Sequence, residues 1–142
     1  MNKDNKLNKS TILKILKEDN LDPKRYIILS GASLVLQDIK EYTSDIDIAV
    51  DNTLYNEILN KYSCTFEKYK DGYKIWYIDN IINFSNNLYT TTKYIEIYGY
   101  KAQSLDSILE LKRTLNRQKD KKDISLILDY KNNLSIQEKI KN

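Results

Sequence analysis

The chain contains no histidine and a single cysteine, Cys64, among its 142 residues. These absences exclude a Ser-His or Cys-His catalytic pair, a zinc site built from cysteine and histidine, and an intramolecular disulfide. Any chemistry must therefore fall to carboxylates, lysines, hydroxyls and bound ions. No run of residues is apolar and long enough to span a bilayer, and the polar opening Met1–Ser10 lacks the apolar segment of a signal peptide. A cytoplasmic protein without membrane association is expected. The net charge of +3 tilts only mildly toward polyanions, so nucleic acid is permitted as a partner rather than demanded.

What is present suffices for one compact domain over residues 1–142, with a core at about 24–130 and a polar tail over 131–142. Ser10 or Thr11 is placed to cap a first helix carrying Ile12, Leu13, Ile15 and Leu16, which Asp22-Pro23 stops. Tyr26 to Leu29 reads as a strand covered on both faces, and Gly31 permits a tight turn into a helix over Ala32 to Leu36. Asp45 to Val50 alternates carboxylate with aliphatic. A strand there would put Asp45 and Asp47 on one face and Ile46 and Ile48 on the other.

Asp51 to Thr53 opens a helix with Leu54, Ile58, Leu59 and Tyr62 on its buried stripe. Thr65–Tyr69 and Tyr73–Ile78 flank Lys70-Asp71-Gly72 as a hairpin. A further apolar run, Ile81 to Phe84, precedes a loop over Ser85 to Thr92 and a strand over Lys93 to Tyr98 ended by Gly99. Ser104 caps a helix whose seam comprises Leu105, Ile108, Leu109, Leu111, Lys112 and Leu115, and Asp120 to Tyr130 forms a last helix with Ile124, Ile127 and Leu128. The fold class is α/β (α+β): a mixed sheet flanked by helices, with helices at the C-terminal end.

The chemistry concentrates between Tyr26 and Val50. Nucleotidyl transfer needs a metal to neutralise a triphosphate, and paired carboxylates on one strand face can hold one or two ions. A Ser30-Gly31 turn ahead of a helix offers backbone N–H donors to phosphates, with Ser30 or Ser33 adding a hydroxyl. An Asp-x-Asp triplet or a glycine after a strand is common by itself. Two aspartates on one face of an otherwise aliphatic strand are less easily dismissed, because like charges that close repel unless a cation joins them.

Ile28-Leu-Ser-Gly-Ala-Ser-Leu34 followed by Thr43-Ser-Asp-Ile-Asp-Ile48 resembles the signature of the DNA polymerase β-like nucleotidyltransferase superfamily. The run Ser104 to Lys112 with Arg117 to Ile124 looks like the ending of its small abortive-infection-type members, so the resemblance extends over about residues 26–128. It implies that fold, Mg²⁺ or Mn²⁺ as cofactor and an NTP as substrate. Asp45 and Asp47 would be the metal ligands, and Ser30, Gly31 and Ser33 would lie near the phosphates. Lys112 would approach the triphosphate or brace the site, or else snorkel from a helix seam. Arg117, Lys119, Asp120 and Asp123 are expected to form an ion network at a helix junction.

This sequence departs from that pattern at two places. Ser30 stands where many members have glycine. Asn83 stands where a third carboxylate is expected to take a proton, which an amide cannot do; Asp79 or Glu96 could substitute in another strand register. Three functions remain in view: an active transferase acting on RNA (tRNA included), a protein side chain or a small hydroxylated compound; an impaired domain that binds nucleotide or a partner protein; and an RNA-binding module using scattered lysines and tyrosines. A partner subunit or self-association, and a toxin–antitoxin or phage-defence setting, accompany the first two by resemblance.

Overall fold

The computed structural model describes residues 5–70, 72–87 and 93–141, with side chains up to residue 137. Asp71 of the expected hairpin turn and residues 88–92 of the expected loop lie outside the described residues. Those described form five α-helices and seven strands: α1 (Lys9–Glu18), β1 (Tyr26–Leu29), α2 (Ser30–Leu36), β2 (Ile46–Val50), α3 (Asn52–Lys61), β3 (Cys64–Lys70), β4 (Tyr73–Ile78), β5 (Ile82–Ser85), β6 (Tyr94–Ile97), β7 (Tyr100–Gln103), α4 (Leu105–Leu115) and α5 (Lys121–Lys141).

The strands make one mixed sheet in the order β3-β4-β5-β2-β1-β7-β6. β1 runs antiparallel to β2 and parallel to β7, while β2 runs parallel to β5. The two hairpins, β3–β4 and β6–β7, form the edges. β2 therefore lies at the centre of the sheet, between β5 and β1. One face of β2 is aliphatic: Ile46, Ile48 and Val50 join Tyr26 and Ile28 of β1, Ile82 and Phe84 of β5, Ile12 and Leu16 of α1, and Leu54 and Ile58 of α3 in the main core. Leu34 of α2 packs with Ile108, Leu109 and Ile127 in a second cluster that seats α4 and α5.

Local signals explain most element ends. Asp51 caps α3 by accepting from Leu54 N at 2.7 Å, and Ser104 caps α4 by accepting from Ser107 N at 3.2 Å. The first helix starts earlier than expected, because Asn8 rather than Ser10 or Thr11 accepts from the Thr11 N–H. It ends at Glu18, ahead of Asp22, which caps a 3₁₀ turn instead. One element is added and one expectation corrected. Tyr100–Gln103, given no element above, form a strand, β7, paired antiparallel with β6 across the Gly99 turn and parallel with distant β1. Leu111 is 42% exposed, because the buried seam of α4 centres on Ile108, Leu109 and Lys112, and one residue is about 100° around a helix.

Candidate active site on the polar face of β2

β1 ends at Leu29, and the chain turns straight into α2 through Ser30, whose φ of +41° is unusual for a residue with a side chain. Gln103 at the end of β7 holds this turn: its side-chain oxygen accepts from the Ser30 N–H at 3.0 Å. The Gln103 backbone carbonyl accepts from the Ser33 hydroxyl at 2.7 Å, and Ser33 is fully buried. The Ser33 hydroxyl thus locks α2 to the sheet. Gly31 must be glycine for a close approach, since a Cβ there would stand 2.6 Å from Thr43 Oγ1. Thr43 is itself pinned by a two-way backbone bridge to buried Leu7, at 2.8 and 3.0 Å. These contacts fix the chain two residues before Asp45.

Asp45 immediately precedes β2 and Asp47 lies within it, with Ile46 between them turned into the core. Asn83 of β5 stands directly opposite Asp47 in the parallel pairing. Its side-chain N–H donates to Asp45 Oδ2 at 3.3 Å. Both carboxyls are pushed above the usual carboxylate range. Burial is the main cause for each; for Asp47 the neighbouring Asp45 charge adds to it, and Asn83 opposes the rise in both. Asp47 reaches about 7. Among the described residues, neither aspartate forms an ion pair within 4 Å.

The β3–β4 hairpin continues this face outward. Thr65 pairs with Tyr77, and Tyr77 with Asn83, so all three share the face of Asp47. The register then shifts: Phe66 pairs with Trp76 and Lys68 with Ile75, leaving Glu67 as the extra residue of a β-bulge. Beyond the bulge, Lys68 opposite Ile75 and Lys70 opposite Tyr73 fall on the face of Asp47, while Phe66 and Tyr69 pack edge-on at 5.3 Å on the other. The Glu67 charge acts on both Asp45 and Asp47, opposed by Lys40 and then Lys68 at the former and by Lys70 at the latter. Lys119, between α4 and α5, is held below its ordinary range first by Arg117, with Lys68 and Lys70 adding to the effect. A carboxylate pair thus sits inside a rim of cations.

Lys112 is placed differently from the aspartates. Its ammonium is buried, 2.9 Å from Asp120 and 3.3 Å from Asp123. Arg117 grips Asp120 at 2.6 Å, and Lys40 reaches Asp123 at 3.1 Å. Of the ion network expected at the α4–α5 junction, Arg117, Asp120 and Asp123 are present, joined by Lys112 and Lys40, while Lys119 forms no ion pair there among the described residues. Asp79 occupies a left-handed turn where its charge acts on Asp19 and Cys64. Glu96 lies on β6 in register with Lys101, at the opposite edge of the sheet from β3.

Sequence reasoning overlooked Glu67, Lys68, Lys70 and Gln103. Alternation along β3 could have indicated Glu67, two residues from Thr65, but nothing local announces the bulge that adds Lys68 and Lys70. An open groove lined by Asn8, Leu13, Val35 and Ile39 lies between α1 and α2, and neither aspartate lines it. Comparison with protein-family models, with curated proteins and with solved structures gives no match.

The donors suit a hard dication: two carboxylates, an adjacent amide and no soft ligand. Among the described residues, no three Asp, Glu, Cys or His side chains are close enough to hold one ion. The site fits an ion that takes two protein carboxylates and completes its shell with phosphate oxygens and water, as Mg²⁺ commonly does.

Proposed function

We propose that this protein is a metal-dependent nucleotidyltransferase of the DNA polymerase β-like type, transferring a nucleoside monophosphate from an NTP to a hydroxyl of an RNA, protein or small-molecule acceptor. The observation that carries this reading is the half-buried Asp45–Asp47 pair, which among the described residues forms no ion pair. Burying such a pair is unfavourable unless something of opposite charge enters, so the sheet holds in place what a dication would neutralise. When bound, Mg²⁺ or Mn²⁺ supplies charge neutralisation at the triphosphate.

The chain's own residues would do the rest. Asp45 and Asp47 hold the ion, and Asn83 orients Asp45 through its amide. The Ser30-Gly31 turn brings backbone close to the phosphates. Lys68, Lys70 and Lys119 offer positive charge to the polyphosphate tail. Lys112, spent on two aspartates, braces the α4–α5 junction beside the site.

A second reading, a domain that binds metal and nucleotide without turnover, is favoured by Asn83 at the position opposite Asp47. Incubation with α-phosphate-labelled NTPs, Mg²⁺ or Mn²⁺ and either total cellular RNA or lysate protein separates the two. The transferase reading expects label on one acceptor pool, lost in Asp45→Ala and Asp47→Ala. Metal-dependent NTP binding without label transfer supports the second reading, and no metal-dependent NTP binding sinks both.

A further inference from the structure

We infer that Glu67, carried into the site by the β3 bulge, is the base that takes the proton from the acceptor hydroxyl, replacing the carboxylate that Asn83 lacks. This assignment rests on the transferase reading above.

β3 is an edge strand with an exposed middle, yet the Glu67 side chain is only 21% exposed, against 58% for neighbouring Lys68. An outward-facing glutamate on an edge strand would be solvated. This one is turned in, and its chain position is the extra residue of the bulge, a device that re-aims a side chain beside a site. Tyr77, on the same face as Asn83 and Asp47, has its phenol pushed up first by burial and then by the Glu67 carboxylate. Glu67 therefore acts on a neighbour from β4 that faces the site.

Its charge reaches both Asp45 and Asp47 while it remains outside any three-carboxylate cluster. That separation suits a role different from theirs. Asp45 and Asp47 would hold the ion, and a group standing off from them is free to meet an acceptor approaching from the β3 edge. The other candidates are elsewhere: Asp79 acts on Asp19 and Cys64, and Glu96 is on the far edge strand.

In the step assigned to it, Glu67 accepts the hydroxyl proton as the acceptor oxygen bonds to the α-phosphorus. The bond from that phosphorus to the bridging oxygen breaks, and pyrophosphate leaves with the electron pair.

Glu67→Gln preserves shape and removes the proton acceptor. With total cellular RNA or lysate protein as the acceptor pool and α-labelled NTP, the expected result is a fall in initial transfer rate on the order of 10²–10⁴. Metal-dependent NTP affinity should stay within about twofold of wild type, since base catalysis acts on the chemical step and not on ground-state binding. The double variant Glu67→Gln/Asn83→Asp should recover part of the rate by restoring a carboxylate opposite Asp47. A Glu67→Gln rate within about threefold of wild type overturns the assignment, as does a loss of NTP affinity matching the loss of rate. Wild-type protein that binds NTP with metal but transfers nothing also overturns it and leaves the binding reading standing; failure to bind NTP at all removes the transferase reading itself.

Discussion

Two charged centres lie close together in this protein and are built on opposite principles. At the α4–α5 junction, buried Lys112 meets Asp120 and Asp123, and each aspartate also meets a second cation, Arg117 or Lys40. Burial alone would raise Asp120, but Arg117 and Lys112 hold it below the usual carboxylate range. At β2, Asp45 and Asp47 are pushed the other way, because burial acts on them and, among the described residues, no ion pair offsets it. The first centre is complete with its own side chains. Under the proposed function the second is completed by an arriving cation, which is how a structural ion network would differ from a ligand site made of the same residue types.

The comparison is broken most severely by removing the cation from the finished centre. Lys112→Met should destabilise the protein by about 3 kcal/mol, read as a lower midpoint in urea denaturation, because it strips a buried partner from two carboxylates. Destabilisation under about 0.5 kcal/mol would show that Lys40 and Arg117 carry the junction alone.

Gly31→Ala should come next, at about 1–3 kcal/mol, since the new methyl meets Thr43 Oγ1 at 2.6 Å. Thr43 leads into Asp45, so the same variant should weaken Mn²⁺ binding measured by electron paramagnetic resonance. Unaltered Mn²⁺ affinity would uncouple the turn from the carboxylates.

The smallest effect has the opposite sign. Asp47→Asn should stabilise the metal-free protein at pH 8 by on the order of 1–2 kcal/mol, because it removes a charge that burial opposes. The pH dependence follows from the same shift. Asp47 binds its proton more tightly folded, with a value of about 7, than at its ordinary 3.8. Its contribution is therefore present below about pH 4 and lost as pH rises through about 7. Asp19, raised to about 6 chiefly by burial, slopes the same way. Denaturation midpoints in EDTA should fall across that range, less steeply in Asp47→Asn, and Mg²⁺ should restore wild type while leaving the variant unmoved. A less stable Asp47→Asn in EDTA would mean that the pair is structural.

Much of this was legible in the residues. The turn expected at Gly31 falls at Ser30, with Gly31 inside α2, but the strand Tyr26 to Leu29, the Asp51 and Ser104 caps and the β3–β4 hairpin are local events, written in turn chemistry and hydrophobic period. So was the separation of Asp45 and Asp47 from Ile46 and Ile48, a consequence of strand geometry. The junction network was legible in part: Arg117, Asp120 and Asp123 were expected there, and the burial of Lys112 between the two aspartates was not. The β7 strand was not, because Tyr100 to Gln103 is short and joins the sheet both through its hairpin with β6 and through parallel pairing with β1, more than seventy residues earlier in the chain.

The sequence by itself determined that two carboxylates would share a face and that chemistry would fall to oxygen donors and cations, since those follow from alternation and composition. Tertiary structure decided that, among the described residues, no side-chain cation forms an ion pair with that pair, that Asn83 stands opposite Asp47, and that a bulge puts Lys68 and Lys70 on its face. Strand order, register and burial are set by the whole packed sheet, and a carboxylate becomes a site or a salt bridge according to what those bring within reach.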